Sequence, residues 1–295
     1  MDGILNIYKE KGFTSHDVVA KMRGILRQKK IGHTGTLDPD AVGVLPVCLG
    51  KGTKLCSLLT DWDKQYEAVL RLGITTDTED MTGEVLTNKP YASSEEEVKK
   101  AILSFLGSYD QIPPMYSARK VNGKKLYELA REGKVIERKA TKVTITDIEI
   151  KEISLPEVIF TVTCSKGTYI RSLCRDIGEK LECGGCMAGL KRIRTGNFSI
   201  DSAITLGQLE EIRDRGEIDK YLVSVEDVLN VYEKAQIYKK FEKLLYNGNP
   251  LLTSQFKMAG EGREKLRMYD TKGNFIGLYA YVQEKKQWKP EKMFL

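Results

Sequence analysis

The sequence predicts an α+β protein, and three observations carry that prediction. Alternating segments of strand length, such as Lys64–Leu72, are interspersed with amphipathic segments that begin at capping residues. Apolar residues make up 41% and charged residues 30% of the 295 positions, an ordinary globular balance with ample material for a core. The last 65 or so residues turn basic and mostly strand-like, which suggests a small β module behind a larger body. The boundary falls near residues 228–236, so the body is read as 1–230 and the module as 231–295.

Taken in order, Ile4-Leu5-Asn6-Ile7-Tyr8 reads as a strand, and Thr14 or Ser15 then caps a helix with Val19, Met22 and Leu26 on one face. From Ile31 to Gly52, five glycines with Pro39 and Pro46 punctuate the chain too often for a long helix. Lys64–Leu72 alternates Tyr66, Ala68, Leu70 and Leu72 against more polar partners, a strand pattern. Ser94-Glu95-Glu96-Glu97 is a capping box ahead of Val98, Ile102 and Phe105. Ile112-Pro113-Pro114-Met115 then breaks the pattern and opens an excursion at 119–142 with nine Lys/Arg and three Glu.

Val143–Ile150 and Val158–Cys164 read as strands joined near Leu155-Pro156. Ile170, Leu173, Ile177 and Leu181 have helical spacing that stops at Gly184-Gly185. Thr205-x-x-Gln208 is a second capping box. In the tail, Leu244–Pro250 reads as a turn and Leu266–Leu278 as strand, hairpin, strand.

Several function classes are disfavoured. No apolar run approaches the ~20 residues of a membrane span, and Met1–Asn6 lacks a basic n-region and an h-region, so a cytoplasmic protein is expected. His16 and His33 are the sole histidines, too few for a His-rich metal centre. Cys183-Gly-Gly-Cys186 is an isolated CxxC without a second close pair, and the other cysteines are scattered. The net charge of +6 is small but clustered into four basic blocks, with the densest at 119–142. Such clustering fits a polyanion, because neutralising phosphates releases counterions.

Gly32–Gly50 is the segment that carries chemistry. It holds His33 and the pair Asp38-Pro39 in a glycine-rich loop. It is neither a P-loop, since no Gly-Lys-Ser/Thr stands at the required offset, nor a dinucleotide fingerprint. Asp38 before Pro39 is pushed toward extended backbone, which suits either a turn or a carboxylate aimed out of a loop.

Gly32-His33-Thr34-Gly35-Thr36-Leu37-Asp38-Pro39, continuing to Leu45-Pro46-Val47-Cys48-Leu49-Gly50, resembles the signature of the TruB family of tRNA pseudouridine synthases. Four further blocks agree in order: Lys9-x-x-Gly12-x-Thr14-Ser15; Tyr66-Glu67-Ala68 with Leu72-Gly73-x-x-Thr76-Asp77-Thr78-x-Asp80-x-x-Gly83; Cys164–Arg171; and Leu190-Lys191-Arg192 with Gly196 and Phe198. The tail also resembles a PUA module, a small RNA-binding barrel.

The resemblance implies a pseudouridine synthase fold, with a mixed, mainly antiparallel sheet crossed by a cleft. It implies isomerisation of the T-loop uridine, position 55 of tRNA, by base flipping, glycosidic cleavage, uracil rotation and rejoining through C5. As catalytic residues it implies Asp38 as nucleophile or base, Arg171 as its partner, and Tyr66 as the aromatic that stacks on the uracil and assists loss of the C5 proton. His33, Tyr169, Leu190, Lys9 and Arg192 complete the implied substrate-binding set. No metal or cofactor is implied; the T arm of tRNA is the expected partner, with no obligatory protein partner and nothing demanding more than a monomer. The basic excursion would close over the T arm, Leu126 and Tyr127 among its lysines.

The pattern has departures. Asp40 and Val42 replace an apolar residue and Thr, Cys186 a common histidine, Lys191 an arginine and Asn197 a proline. Asp40 would raise the pKa of Asp38 unless it points away. The rival readings are a non-catalytic tRNA-binding or tRNA-folding protein and a guide-RNA-dependent synthase subunit.

Overall fold

The computed structural model describes residues 1–121, 123–258 and 264–295; Asn122, within the basic excursion, lies outside them. Seven strands build the main sheet: β1 (Gly3–Lys9), β2 (Val42–Leu49), β3 (Lys64–Leu72), β4 (Gly107–Gln111), β5 (Thr141–Ser154), β6 (Glu157–Cys164) and β7 (Gly185–Thr195). Their order is β1-β2-β7-β3-β6-β5-β4, with short strands Ile31–His33 on β2 and Phe198–Ser199 on β7. Along this order the β2–β7 pair, Lys191 opposite Val42 and Arg192 opposite Gly43, is parallel and the others are antiparallel. The mixed, mainly antiparallel sheet is therefore observed.

The principal helices of the body are α1 (Ser15–Ile25), α2 (Glu95–Leu103), α3 (Leu126–Arg131), α4 (Ile170–Lys180) and α5 (Leu206–Asp214). Thr14, Ser94 and Thr205 cap α1, α2 and α5, each in a reciprocal capping box with the residue three positions on. Amphipathicity then assigns the faces. Val98 and Ile102 of α2 and Leu173, Cys174 and Ile177 of α4 pack on Ala68, Leu70, Phe160 and Val162 of the sheet. Val18 and Met22 of α1, with Leu206 and Leu209 of α5, cover Leu5, Ile7, Leu45 and Val47 near the sheet's other edge.

Three strands of the main sheet, β2, β4 and β7, were not read from the sequence. Val42–Leu49 is almost wholly buried, so it shows no alternation, and Pro46 argues against a central strand. Gly185–Thr195 opens with a glycine that sat in an apparent helix stop. The parallel pairing between them needs Gly43: its φ is +108°, and a Cβ there would meet the Arg192 carbonyl oxygen at 2.2 Å.

The tail forms a second sheet of five strands: β8 (Glu233–Ile237), β9 (Phe256–Met258), β10 (Lys265–Tyr269), β11 (Phe275–Val282) and β12 (Gln287–Met293), in the order β9-β8-β10-β11-β12. Leu251 bridges Trp288 in β12, and the chain then runs into β9 beside β8. One segment thus touches both edges of the sheet, through an isolated bridge rather than the continuous ladder of a closed barrel. The expected turn at 244–250 begins within a short helix, Glu242–Tyr246.

The basic excursion leaves the end of the β4–β5 hairpin, where Gln111 pairs with Thr141. It carries a small ladder, Lys120–Val121 against Lys124–Lys125, followed by α3. Tyr127 lies under Lys125 and Arg131 at 5.3 and 5.4 Å. Leu126 is fully buried and anchors the excursion.

Candidate active site

Asp38 sits in the loop between the short strand Ile31–His33 and β2, and four attachments fix that loop. The Lys9 ammonium donates to the carbonyls of Pro39 (3.0 Å), Glu10 (3.1 Å) and Phe13 (2.6 Å). Gly12 N–H donates to the Pro39 carbonyl at 2.9 Å. Leu37 N–H donates to the Ser15 hydroxyl at 2.9 Å. Arg192 donates to the carbonyls of Gly35 (3.2 Å) and Val44 (2.6 Å). Leu37 and Ala41 plug into the core on either side of the aspartate. Lys9 and Arg192 are thus buried cations facing backbone, and burial pulls the Lys9 ammonium down to about 8 against the opposing charge of Asp38.

The Asp38 carboxylate, 38% exposed, meets the guanidinium of Arg171, 7% exposed, through Nε at 3.0 Å and Nη2 at 3.2 Å. Both carboxylate oxygens are engaged, a paired geometry that fixes orientation as well as charge. Arg171 also donates to the carbonyls of Thr78 (3.1 Å) and Tyr116 (2.9 Å). Its Nε lies 3.7 Å from Asp80, a carboxylate that is 13% exposed. Asp80 itself accepts from the hydroxyls of Thr78 (2.8 Å) and Thr82 (2.6 Å). One arginine therefore serves two carboxylates.

Burial pushes the Asp38 carboxyl above the ordinary carboxylate value; Arg171 opposes this, Asp80 adds to it and Lys9 opposes it. Arg171 favours the ionised form, but burial and Asp80 outweigh it. The like charge that matters is Asp80 and not Asp40. Asp40 is half exposed and turns toward the Lys11 ammonium, 3.8 Å away.

Tyr66 is buried on β3, opposite Arg192 of β7. Burial raises its phenol above the usual tyrosine value, opposed by the adjacent guanidinium. His33 accepts the Gly35 N–H on Nδ1 at 3.3 Å, which leaves Nε2 to carry the proton. Burial, aided by Arg192, lowers its pKa, so the imidazole is neutral at pH 7. Leu190 faces Ala68 across the β3–β7 ladder, half-buried against the core that holds Tyr66. Tyr169 caps α4 without a side-chain cap bond, and its backbone is gripped by buried Gln111.

Asp80 and Gln111 were not singled out from the sequence. Asp80 stood in a quoted block, and the signal that finds it is its place in Thr76-Asp77-Thr78-x-Asp80-x-x-Gly83, a turn that needs its glycine. A Cβ on Gly83 would meet the Asp77 carboxylate at 2.2 Å. Among the departures, Lys191 lies 3.9 Å from Glu67 and Cys186 is buried with its thiol 3.4 Å from the Met81 sulfur. Among the described residues, no group of three or more His, Cys, Asp or Glu is placed to hold a metal ion, and no helix is long and apolar enough to cross a membrane.

Comparisons with known proteins point to one family. Residues 23–170 match the model for the TruB family pseudouridylate synthase N-terminal domain, and 171–230 match the tRNA pseudouridylate synthase B C-terminal domain. The chain is 53% identical to a tRNA pseudouridine synthase B of Lachnoclostridium phytofermentans and 48% identical to one of Clostridium novyi, each over the full length of both chains. Among solved structures, it is similar to a chain of an H/ACA RNP bound to a substrate RNA containing 2'-deoxyuridine, with a TM-score of 0.75 and 26% identity, covering 99% of this chain and 85% of that one. A chain of a Cbf5-Nop10-Gar1 complex superposes equally well, at a TM-score of 0.75, 27% identity and the same coverage. The chain belongs to the TruB family of pseudouridylate synthases.

Proposed function

We propose that this chain isomerises the T-loop uridine at position 55 of tRNA to pseudouridine, with Asp38 as the catalytic carboxylate. The observation that carries this reading is the Asp38–Arg171 pair, held by both carboxylate oxygens in a loop pinned by two buried cations. The target base leaves its stack at a cost of a few kcal/mol and is received in the pocket. The C1'–N1 bond breaks, the uracil turns, and C5 bonds to C1'. N1 gains a proton and C5 loses one, so the reaction is a balanced isomerisation.

Asp38 acts on the ribose, either by attack at C1' or by removing the C2' proton. Tyr66 keeps its phenolic proton at neutral pH and serves as the stacking aromatic. Neutral His33 offers an Nε2–H donor to the flipped-out RNA, and Tyr169 and Leu190 line the pocket. Lys9 and Arg192 act from below, by fixing the loop. Residues 1–230 form the catalytic domain and 231–295 a PUA-like RNA-binding module, acting as a monomer in the cytoplasm without protein partners.

The full-length relatives at about half identity favour a stand-alone enzyme over a guide-dependent subunit. Tritium release from tRNA labelled at uracil C5, with the purified chain alone, tests both points. Wild type releases tritium without guide RNA, and Asp38→Asn does not. Release by Asp38→Asn removes Asp38 from its role; no release by wild type, with tRNA still bound, supports the binding-only reading.

A further inference from the structure

We propose that Gln111 is a positioning residue for the reaction: its side-chain amide sets the backbone of Tyr169, and through it the Arg171 guanidinium, against Asp38. The amide makes a two-point contact with one peptide unit's neighbours. Tyr169 N–H donates to Gln111 Oε1 at 2.8 Å, and Gln111 Nε2 donates to the Tyr169 carbonyl at 3.0 Å. A side-chain amide offers a donor and an acceptor side by side at every pH, as a neighbouring β-strand would.

The place where this occurs gives it consequence. Tyr169 is the N-cap of α4 and lacks a side-chain cap of its own, and Arg171 follows two residues later. Gln111 is buried at the end of β4, where the basic excursion departs. The next residues of the excursion reach the same helix. Arg175 donates to the Ile112 carbonyl at 3.1 Å, and Arg171 to the Tyr116 carbonyl at 2.9 Å. The root of the RNA-facing excursion and the arginine beside Asp38 are therefore one hydrogen-bonded unit, with Gln111 as its shortest tie.

The proposal rests on Asp38 and Arg171 being the reacting pair, which the Asp38→Asn experiment tests separately. Single-turnover pseudouridine formation at saturating tRNA is measured for wild type, Gln111→Ala and Gln111→Glu from pH 5.5 to 8.5, alongside tRNA affinity. Gln111→Ala lowers the rate by roughly 10- to 100-fold, the cost of a small misplacement, with affinity within about twofold. Gln111→Glu separates positioning from mere packing. Its ionised carboxylate keeps the acceptor for Tyr169 N–H but has no donor for the Tyr169 carbonyl; its protonated form has both.

The groups facing this position are Tyr109 on β4, whose hydroxyl accepts from Gln111 Nε2, Cys164 on β6, and Asp176 and Arg175 on α4, with Glu79 paired to Arg175. Asp176, pushed up to about 6 by burial against the pull of Arg175, titrates in wild type and in Gln111→Ala as well, so these two profiles give its own contribution, and in Gln111→Glu it titrates together with the introduced carboxyl. The ratio of Gln111→Glu to wild type rises at least about tenfold from pH 8 to pH 6, because burial raises the introduced carboxyl into that range. A ratio flat with pH overturns the proposal, and decides it even where Gln111→Ala does not fold. A Gln111→Ala rate within twofold of wild type, or a loss of affinity equal to the loss of rate, overturns it as well.

Discussion

Asp38 is asked to be an anion in a place that disfavours anions. Burial and the neighbouring Asp80 raise its carboxyl, while Arg171 and Lys9 oppose them. On the proposed function, whether Asp38 attacks C1' or removes a proton from C2', the ionised form does the work, so the rate is expected to fall as pH drops through this raised value. The acid limb of the single-turnover profile therefore lies above the ordinary carboxylate range. Asp80→Asn removes the like charge and moves that limb to lower pH. It also removes a partner of Arg171, 3.7 Å away, so the plateau falls. An acid limb that does not move would assign the effect of Asp80 to shape alone. At Gly43 the constraint is steric: Gly43→Ala combines a left-handed φ with a contact on the Arg192 carbonyl. It costs at least about 1–2 kcal/mol in urea unfolding, and a two-state midpoint equal to wild type contradicts this.

The elements around the site differ in how plainly the sequence announces them. Helix α2 was readable because Ser94 and Glu97 write both halves of its capping box. Ser94→Ala should cost about 1 kcal/mol in unfolding and leave activity untouched, since Ser94 and Glu97 are exposed and bond each other. β3 was readable because every second residue faces the core. By contrast, β2 is buried on both faces and carries Pro46, so its periodicity vanishes, and its parallel partner β7 is a long-range pairing that no local pattern encodes. The site followed the same rule. The resemblance located Asp38 and Arg171, but no local pattern distinguishes a lysine that touches RNA from one that ties a loop. Lys9 ties the loop, with its ammonium on three carbonyls. Lys9→Met is therefore expected to slow the single-turnover rate roughly 10- to 100-fold while tRNA affinity stays within about twofold. Weakened binding at an unchanged rate would return Lys9 to a direct RNA contact.

At the scale of the whole molecule, the body and the tail share a core, and this decides how the tail's role is tested. Leu278 and Phe294 of the tail are buried with Ile4, Val44, Cys48, Leu55 and Leu59 of the body. The Lys54 ammonium donates to the Met293 carbonyl at 2.7 Å, and the Tyr269 hydroxyl of the tail to the Glu226 carboxylate at 2.5 Å. Removing residues 231–295 would uncover an apolar face directly beneath β2, at up to about 1.5–3 kcal/mol for each side chain left exposed. A truncated chain would then lose activity for want of a stable catalytic loop, whatever the tail does with RNA. Charge substitution avoids this. Lys239, Lys240 and Lys243 are exposed, and among the described residues none of them has an ion-pair partner. Lys240 also lies over the Phe241 ring at 4.8 Å, a mixed basic and aromatic surface of the kind that RNA loops engage. Replacing the three by Gln leaves the shared core intact. If each meets a phosphate, the slope of log affinity against log salt falls by up to about 0.7–0.9 for each lysine, with thermal stability and the rate at saturating tRNA unchanged. An unchanged slope would place the RNA path over the excursion and the cleft alone, and leave the tail as a structural cover for β1 and β2.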